Sequence, residues 1–288
     1  MVAEGLSFGT KEEYEFRFEL YQKKDAEIRE WNEKQSSFVL GHNMFSTMTE
    51  AEHKKWLGLA APVNVDHEPT VFDESDNGVM VDWRGQSNAV KNQGGCGSCW
   101  AFSANAAMEH AYYRHTRNMI NLSEQQLVDC DPQSHGCHGG WYFWAWDYLK
   151  RNTAQTTSQN YPYTGRDGTC RTNMPGYARV GDYSAVGRYS VAQHKAALQK
   201  GVLSIALAAG NNVFSMYRSG IVDTTACPTS IDHAVAMVGW GNENGQDYWI
   251  VRNSWGSGWG DQGHIKIAAK EGVGICGSQQ FSYIVNVY

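Results

Sequence analysis

The sequence has no long hydrophobic run and no block of basic residues. None of its apolar stretches approaches the roughly 18 to 20 residues that a membrane-spanning helix needs, and no basic-then-apolar signal segment follows Met1. Lys and Arg together number 24 against 30 Asp and Glu, so the formal net charge is −6 at pH 7. An acidic chain without a basic block is a poor ligand for nucleic acid or an anionic membrane. We therefore expect a soluble chain without a secretion signal, whose partner is a peptide or a small molecule.

The sequence also lacks the pattern of a structural zinc site. Cys96 and Cys99 form one C-x-x-C pair, but no second close Cys/His pair stands at zinc-finger spacing, because Cys137 and His138 are adjacent and too cramped. We expect neither a metal nor another cofactor.

Cysteine is present in an odd number, seven. In a disulfide-forming compartment this count predicts three bridges and one free thiol, whereas in the cytosol all seven would be reduced. Six bridged cysteines allow fifteen pairings, and the sequence cannot choose among them.

Hydrophobic periodicity divides the chain into a helical first half and a stranded second half. Residues 11–33 are charged, free of Pro and Gly, and amphipathic, with apolar residues that include Phe16 and Ile28. Residues 99–115 are Ala-rich and apolar on most faces, which predicts a buried helix. Short apolar strand-like segments separated by Gly/Asn turns follow at 202–209, 233–238 and 248–252. We expect an α+β fold of two lobes with a cleft between them, and an extended linker at 58–78.

Cys99 is the residue around which the chemistry is organised. It begins the helix predicted at 99–115, and a helix N-terminus together with an imidazolium lowers a thiol pKa enough to hold a nucleophilic thiolate. Alone, the stretch GGCGSCW fits a redox pair as well as a nucleophile. His233 lies in an apolar strand-like run, where it could be the imidazolium or an ordinary core histidine. Asn253 could orient His233 or simply hold a turn.

These segments resemble those of papain-like cysteine proteases of the cathepsin-L-like subgroup. Gln93–Trp100 resembles the nucleophile segment, and His233 and Asn253 follow Cys99 by 134 and 154 residues, close to the ~130–150 typical of that arrangement. The resemblance implies that Cys99 attacks a peptide carbonyl, that His233 is acid and base, and that Asn253 orients His233. It implies an oxyanion hole formed by Gln93 and the Cys99 N–H. It also implies shielding of the His–Asn pair by Trp255 and Trp259, although both tryptophans could equally be core residues.

The same resemblance implies a substrate cleft and a disulfide pattern. Gly139 and Gly140 would offer a backbone edge to an extended substrate, where a side chain would obstruct the approach; a simple turn is the alternative. The residues of the main specificity pocket would be Trp141, Tyr142, Ala206, Ile231, Ala234 and Phe281. We expect a hydrophobic residue two positions before the cleaved bond, in a pocket that Phe281 could shorten. The implied disulfides are Cys96–Cys137, Cys130–Cys170 and Cys227–Cys276.

The first 76 residues resemble an inhibitory propeptide, which would precede a mature peptidase domain at 77–288 with a mainly helical lobe (77–190) and a mainly β lobe (191–288). The residues at the positions of the propeptide signatures are Glu13, Arg17, Tyr21, Ile28, Asn32, Gly41, Asn43 and Phe45. Glu13 and Arg17 are four apart and can pair on one helix face. Thr47 stands where the family has Asp. We expect acid to weaken the propeptide's hold by protonating its carboxylates.

The sequence therefore predicts a cysteine endopeptidase in zymogen form, located in a lysosome or vacuole or secreted. Its expected partners are protein and peptide substrates, its own propeptide and cystatin-like inhibitors, and we expect a monomer. Two alternatives stay open: a catalytically silent homologue that binds peptides, and a chain whose first 76 residues act chiefly as a separable inhibitor.

Overall fold

We describe the protein from a computed structural model, which covers residues 7–61, 67–152 and 154–288. The helices are α1 (Lys11–Lys34), α2 (Glu50–Lys54), α3 (Cys99–Thr116), α4 (Glu124–Cys130), α5 (Tyr142–Asn152), α6 (Val191–Lys200) and α7 (Asn212–Ser215). The strands are β1 (Phe38–Leu40), β2 (Pro69–Thr70), β3 (Val81–Asp82), β4 (Val180–Val186), β5 (Leu203–Leu207), β6 (Tyr217–Val222), β7 (His233–Glu243), β8 (Gln246–Arg252), β9 (His264–Ala268) and β10 (Ser282–Val287). Short 3₁₀ turns lie at Met44–Thr47, Arg84–Gln86 and Ile275–Gly277.

The strands join in one hydrogen-bonded order, β1-β6-β9-β8-β7-β5-β10-β4-β2, and β3 pairs with β7 beside this path. The long strand β7 is antiparallel to both β5 and β8. The predicted strands at 202–209, 233–238 and 248–252 correspond to β5, β7 and β8, and β7 extends five residues beyond the prediction.

Helix α3 is the buried helix of the first half. Eleven of its residues, from Cys99 to His110, are buried, and the helix packs against β7, β10 and α5. It ends at Arg117, whose φ of 62° is left-handed and stops the helix. Cys99 is the first residue of α3 and His233 is the first residue of β7. Because these two ends lie side by side, the fold brings Cys99 near His233.

Two hydrophobic clusters form the interior. One fills the space around α3, α4 and α5 and includes Trp100, Trp141 and Trp146. The other lies within the sheet and includes Trp249, Trp255 and Trp259. The first cluster also takes in residues of β5, β7, β8 and β10, so it spans the helices and one face of the sheet.

The N-terminal region packs against the sheet. Thr10 caps α1 by accepting from the Glu13 N–H at 3.1 Å. Ile28 is buried, whereas Phe16 is 45% exposed, so the apolar face of α1 is narrower than the sequence predicts. Strand β1 extends the sheet by pairing antiparallel with β6. The predicted linker, 58–78, ends in a turn at 75–78, and its residues 62–66 lie outside the described residues.

Side chains of the N-terminal signatures tie this region together. The Arg17 guanidinium donates to Glu13 at 2.6 Å, to Glu52 at 2.7 Å and to the Thr47 carbonyl at 2.8 Å. The Asn32 amide pairs with the backbone N–H and C=O of Leu40, both at 2.9 Å. The Tyr21 ring stacks on the His42 ring with centroids 3.9 Å apart. The Gly41 N–H donates to the Met216 carbonyl at 2.8 Å, and Asn43 Nδ2 donates to the Ser215 carbonyl at 2.8 Å.

Three disulfides join Cys96 to Cys137, Cys130 to Cys170 and Cys227 to Cys276. These are the pairs that the resemblance implies. Cys99 is the free cysteine, and it is buried. Each loop closed by a bridge spans about 40 to 50 residues, for which a stabilisation of about 2–4 kcal/mol is typical.

Candidate active site

Cys99 lies at the first turn of α3 and is completely buried. Its Sγ accepts a hydrogen bond from the Ala234 N–H at 3.3 Å. The first-turn N–H groups of a helix have no acceptor within the helix and favour negative charge nearby. The position therefore suits a thiolate, and the Cys96–Cys137 disulfide fixes the loop that leads into it.

His233 is the first residue of β7, and its orientation is set by Asn253. The His233 Nε2 and the Asn253 Oδ1 lie 2.8 Å apart. Because an amide oxygen can only accept, Nε2 carries the proton and Nδ1 is left with its lone pair. Nδ1 is buried and has no hydrogen-bond partner among the described residues, so it is available as a base.

Trp255 packs on His233 of the His–Asn pair, and Trp259 packs behind Trp255. The Trp255 ring centroid is 4.7 Å from that of His233, and Trp259 stands edge-on to Trp255 at 5.3 Å. Both side chains are 1% exposed. Both tryptophans are therefore core residues next to the His–Asn pair, which is compatible with the predicted shielding role.

Burial suppresses charge at both reactive groups. It raises the pKa of the Cys99 thiol to about 12, against the opposing effect of backbone N–H donors at Ala234 and Gly58. It lowers the pKa of His233 to about 4. While the site is covered, burial therefore disfavours the charged form of both groups.

Gln93 is also fully buried, and each of its side-chain atoms has a partner. Its Oε1 accepts from the Ser254 hydroxyl at 2.6 Å. Its Nε2 donates to the Cys96 carbonyl at 2.9 Å and to the Trp56 carbonyl at 3.0 Å. The side-chain amide that the sequence assigned to an oxyanion hole thus already holds a carbonyl oxygen of the N-terminal region.

The same region occupies the backbone edge at Gly139 and Gly140. The Gly140 N–H donates to the Gly58 carbonyl at 3.1 Å, and the Ala60 N–H donates to the Gly140 carbonyl at 3.3 Å. Leu59 and Gly140 form a parallel bridge. Leu59 also donates through its N–H to the Asp232 carbonyl at 3.2 Å, so it is bound from both sides of the cleft.

Sequence comparison identifies the family of this site. A sequence model described as papain family cysteine protease matches residues 77–285, and one described as cathepsin propeptide inhibitor domain matches residues 2–53. The chain belongs to the papain family of cysteine proteases. Its α+β, papain-like fold with a helical propeptide region is confirmed by solved structures of relatives.

Two solved proforms match this papain-family chain over nearly its whole length. A recombinant stem bromelain precursor superposes with a TM-score of 0.90 at 34% identity, covering 99% of this chain and 96% of that one. The digestive procathepsin L2 proteinase of Tenebrio molitor larval midgut gives 0.90 at 35% identity with the same coverage.

Curated relatives differ in length from this chain. Cysteine proteinase RD21A of Arabidopsis thaliana is 41% identical over 265 residues, which are 88% of this chain but 56% of that protein. Fruit bromelain of Ananas comosus is 36% identical over 96% of this chain and 82% of its own length. The chain thus spans little more than half of the first relative and most of the second.

The glycines of the papain-family cleft are required for two different reasons. A Cβ on Gly139 would stand 3.3 Å from the Ala60 nitrogen, and the φ of Gly139 is +116°, so close approach and backbone conformation both favour glycine there. A Cβ on Gly140 would instead meet the Ser134 Oγ at 2.4 Å. The obstruction at Gly140 is therefore internal, which differs from the predicted reason.

The residues predicted to line the main specificity pocket lie in or against one hydrophobic cluster. Trp141, Tyr142, Ala206 and Ala234 are fully buried, while Ile231 and Phe281 are half-buried. Trp141 and Phe281 have ring centroids 5.3 Å apart, and the Tyr142 hydroxyl donates to the Phe281 carbonyl at 2.7 Å. Phe281 is thus fixed between two aromatic residues.

Some contacts in this site were missing from the sequence prediction. Arg188 lies over the face of Phe281, with Cζ 4.9 Å from the ring centroid. The Ser254 hydroxyl donates to Gln93. The position of Ser254 directly after Asn253 is a feature of the sequence from which its place in the site could be predicted. The Trp56 carbonyl has no such signal, because a main-chain contact leaves no mark on residue type.

No group of three or more His, Cys, Asp or Glu side chains in the described ranges could hold a metal ion. Within the same ranges, no helix has the length and apolar character that crossing a membrane requires.

Proposed function

We propose that this chain is the zymogen of a cysteine endopeptidase, with a propeptide at 1–76 and a mature domain at 77–288. The mature domain would comprise a mainly helical lobe at 77–190 and a mainly β lobe at 191–288. The observation that carries the proposal is the occupation of the catalytic machinery by the chain's own backbone: the Trp56 carbonyl on Gln93 Nε2 and residues 58–60 on Gly140.

The direction of that backbone explains why it is not cut. Leu59 and Gly140 pair in parallel, the direction opposite to the one expected of a substrate. The Trp56 carbonyl accepts from the Gln93 amide proposed for the oxyanion hole. The propeptide thus acts as a reversed peptide that fills the site.

After removal of the propeptide, the reaction follows from three groups. His233 Nδ1 takes the proton of the Cys99 thiol, the resulting thiolate attacks the scissile carbonyl, and Gln93 Nε2 with the Cys99 N–H binds the oxyanion. The C–N bond breaks as His233 Nδ1 gives its proton to the leaving amine, which leaves a thioester on Cys99. His233 then takes a proton from water as the water attacks the thioester, and this step releases the acid and restores the thiolate.

The pocket formed by Trp141, Ala206, Ala234, Ile231 and Phe281 supports a preference for a hydrophobic residue two positions before the cleaved bond. The three disulfides suit a lysosomal or vacuolar compartment or secretion. We also propose a monomeric enzyme whose partners are protein and peptide substrates, its own propeptide, and cystatin-like inhibitors.

Replacement of the nucleophile tests this function. Cys99→Ala should leave folding intact and reduce peptide hydrolysis by about four orders of magnitude or more, with no self-processing in acid. Turnover by that variant above trace level would refute the role of Cys99. A wild-type chain that folds, is processed by an added protease and still does not hydrolyse peptides would identify a catalytically silent homologue.

A further inference from the structure

Beyond the cleft, the propeptide continues over a second surface of the mature domain. His67 enters a cage of three aromatic rings, those of Phe143, Tyr183 and Tyr283. The centroid distances are 5.6, 5.7 and 5.6 Å, and each ring meets the imidazole at 71° to 90°. Edge-to-face contacts of this kind are favourable beyond their buried area.

The cage also recognises a polar atom. His67 Nδ1 and the Tyr283 hydroxyl are 3.0 Å apart, at hydrogen-bond distance. The Tyr183 hydroxyl is already engaged, since it donates to Asp147 Oδ1 at 3.0 Å. One phenol of the cage therefore binds the imidazole while the other is held in place by the protein.

Directly after His67, the propeptide pairs with the sheet. Pro69 and Thr70 form β2, which lies parallel to β4 at Ala185 and Val186. Strand β2 is the last in the sheet order, so β4 becomes an edge strand once β2 leaves. An edge with free N–H and C=O groups binds extended peptides readily.

A side chain of α6 then holds Phe72. Gln193 Oε1 accepts from the Phe72 N–H at 2.8 Å, and Gln193 Nε2 donates to the Phe72 carbonyl at 3.1 Å. The amide thus pairs with both backbone groups of one residue, as a neighbouring strand would. The Phe72 ring packs against the buried cluster of the sheet, which gives the segment a second side-chain anchor.

We propose that this track, formed by the aromatic cage, the β4 edge and Gln193, is a second peptide-binding site of the mature enzyme. Its ligand is an extended peptide with an imidazole in the cage and a phenyl side chain five residues later, and its occupant after cleavage is the chain's own segment 67–72. The track includes none of Cys99, His233, Asn253 or Gln93, so it binds peptide independently of the catalytic cleft. The inference rests on the proposed function in that cleavage must separate this segment from the mature domain.

The test uses mature enzyme whose Cys99 is blocked by a thiol-directed epoxide, and a fluorescent peptide of residues 67–73. Anisotropy should show saturable binding to the blocked enzyme. His67→Ala in the peptide should weaken binding by about tenfold or more, because the cage loses its ring and hydrogen bond. Glu68→Ala, at an exposed position, should leave binding unchanged.

Two enzyme variants on α6 provide a matched pair. Gln193→Ala should weaken binding about tenfold without changing hydrolysis of a small substrate. Gln199→Ala should have no effect, because the Gln199 side-chain amide donates to the Asp76 and Val79 carbonyls, which the peptide lacks. No binding up to millimolar peptide, equal binding of the His67→Ala peptide, or binding only to unblocked enzyme would overturn the inference. Failure of the proposed function would appear separately, as absence of epoxide on Cys99.

Discussion

The propeptide contacts the sheet and the helical lobe in different ways. Against the sheet it contributes side chains to a common core: Ile28, Phe38, Leu40 and Phe45 are each no more than 6% exposed within the cluster that contains Trp255. Against the helical lobe it contributes backbone hydrogen bonds through Gly58–Ala60 at Gly140, with the His67 ring against Phe143 and Tyr183 farther along. The first region supplies the apolar area that holds the propeptide, and the second supplies the geometry that blocks the cleft.

The two kinds of contact meet at Trp255. Its ring lies 4.7 Å from Phe45 of the propeptide and 4.7 Å from His233, the proposed catalytic histidine. The tryptophan that protects the His–Asn pair is therefore also the anchor of the propeptide. Disrupting the packing of Phe45 on Trp255 should therefore also free the catalytic cleft from the propeptide.

The largest effect is expected from the shared core. Phe45→Ala removes a buried phenyl group, for which a loss of about 3–5 kcal/mol is typical. The propeptide should then dissociate at neutral pH and the chain should hydrolyse a small peptide substrate without acid treatment. Phe18→Ala is the control, because Phe18 is 40% exposed on the same region. Latency of the Phe45→Ala chain equal to that of wild type would show that the core contact does not hold the propeptide.

The backbone contact can be broken by a single methyl group. A Cβ on Gly58 would lie 2.0 Å from the Gly97 carbonyl oxygen, and because that atom is backbone it cannot move aside easily. We expect Gly58→Ala to cost about 3 kcal/mol of propeptide binding and to raise the residual activity of the zymogen while leaving the core contacts intact. Gly9→Ala, with nothing within 4 Å of the added Cβ, should behave like wild type. Unchanged inhibition by Gly58→Ala would mean that the cleft segment is not the block.

Acid should act on the core side through His53. This side chain lies beside Phe45, with ring centroids 4.7 Å apart, and 6.0 Å from Trp255. Its Nε2 is buried and has no hydrogen-bond partner in the described ranges. Burial, and then the positive charge of Lys24, lower the pKa of His53 from 6.5 to about 4.

The lowered pKa of His53 determines how propeptide binding changes with pH. The docked propeptide needs neutral His53, so its stability is intact above pH 6.5 and is lost as pH falls toward about 4. At pH 5 the loss is about 2 kcal/mol, or roughly 30-fold in affinity. The charged or titratable groups around His53 are Lys23, Lys24 and Glu27 of α1, Glu50 and Lys54 of α2, and Asp232 and His233 across the interface.

The Glu52 carboxylate of the propeptide responds at lower pH than His53. The hydrogen bonds from Arg17 hold the pKa of Glu52 at about 2, so mild acid does not protonate it. His53→Phe should therefore slow processing at pH 5 and leave latency at pH 7.5 unchanged, as measured by the rate of mature-enzyme appearance on gels. If the pH dependence of processing is the same in His53→Phe and wild type, the acid response would come from protonation of the propeptide carboxylates, as the sequence alone predicts.

The smallest effect is expected inside the specificity pocket of the mature enzyme. Phe281→Ala removes the ring that packs on Trp141 and should deepen the pocket. We expect kcat/KM for a Phe two positions before the cleaved bond to rise about tenfold relative to Val at that position. An unchanged ratio would place Phe281 outside the pocket, and total activity on the Val substrate reports whether the variant is folded.

Much of the fold and of the candidate site could be predicted from the sequence. The order of Cys99, His233 and Asn253 predicted one site, and periodicity located α1, α3 and the central strands β5, β7 and β8. The short strands β1, of three residues, and β2, of two, could not be predicted, because their pairing depends on partners distant in the sequence and not on a local pattern. The Trp56 carbonyl on Gln93 and the Gly58 contact are backbone interactions, and residue type does not encode them.

The central claim is that the nucleophile is present but covered. The direct measurement is mass spectrometry of the chain exposed to a thiol-directed epoxide at neutral pH, and again after acid processing. We predict no epoxide on the intact chain, one epoxide on Cys99 of the processed chain, and a new N-terminus close to residue 77. Equal labelling of Cys99 in both samples, or in neither, would contradict the account.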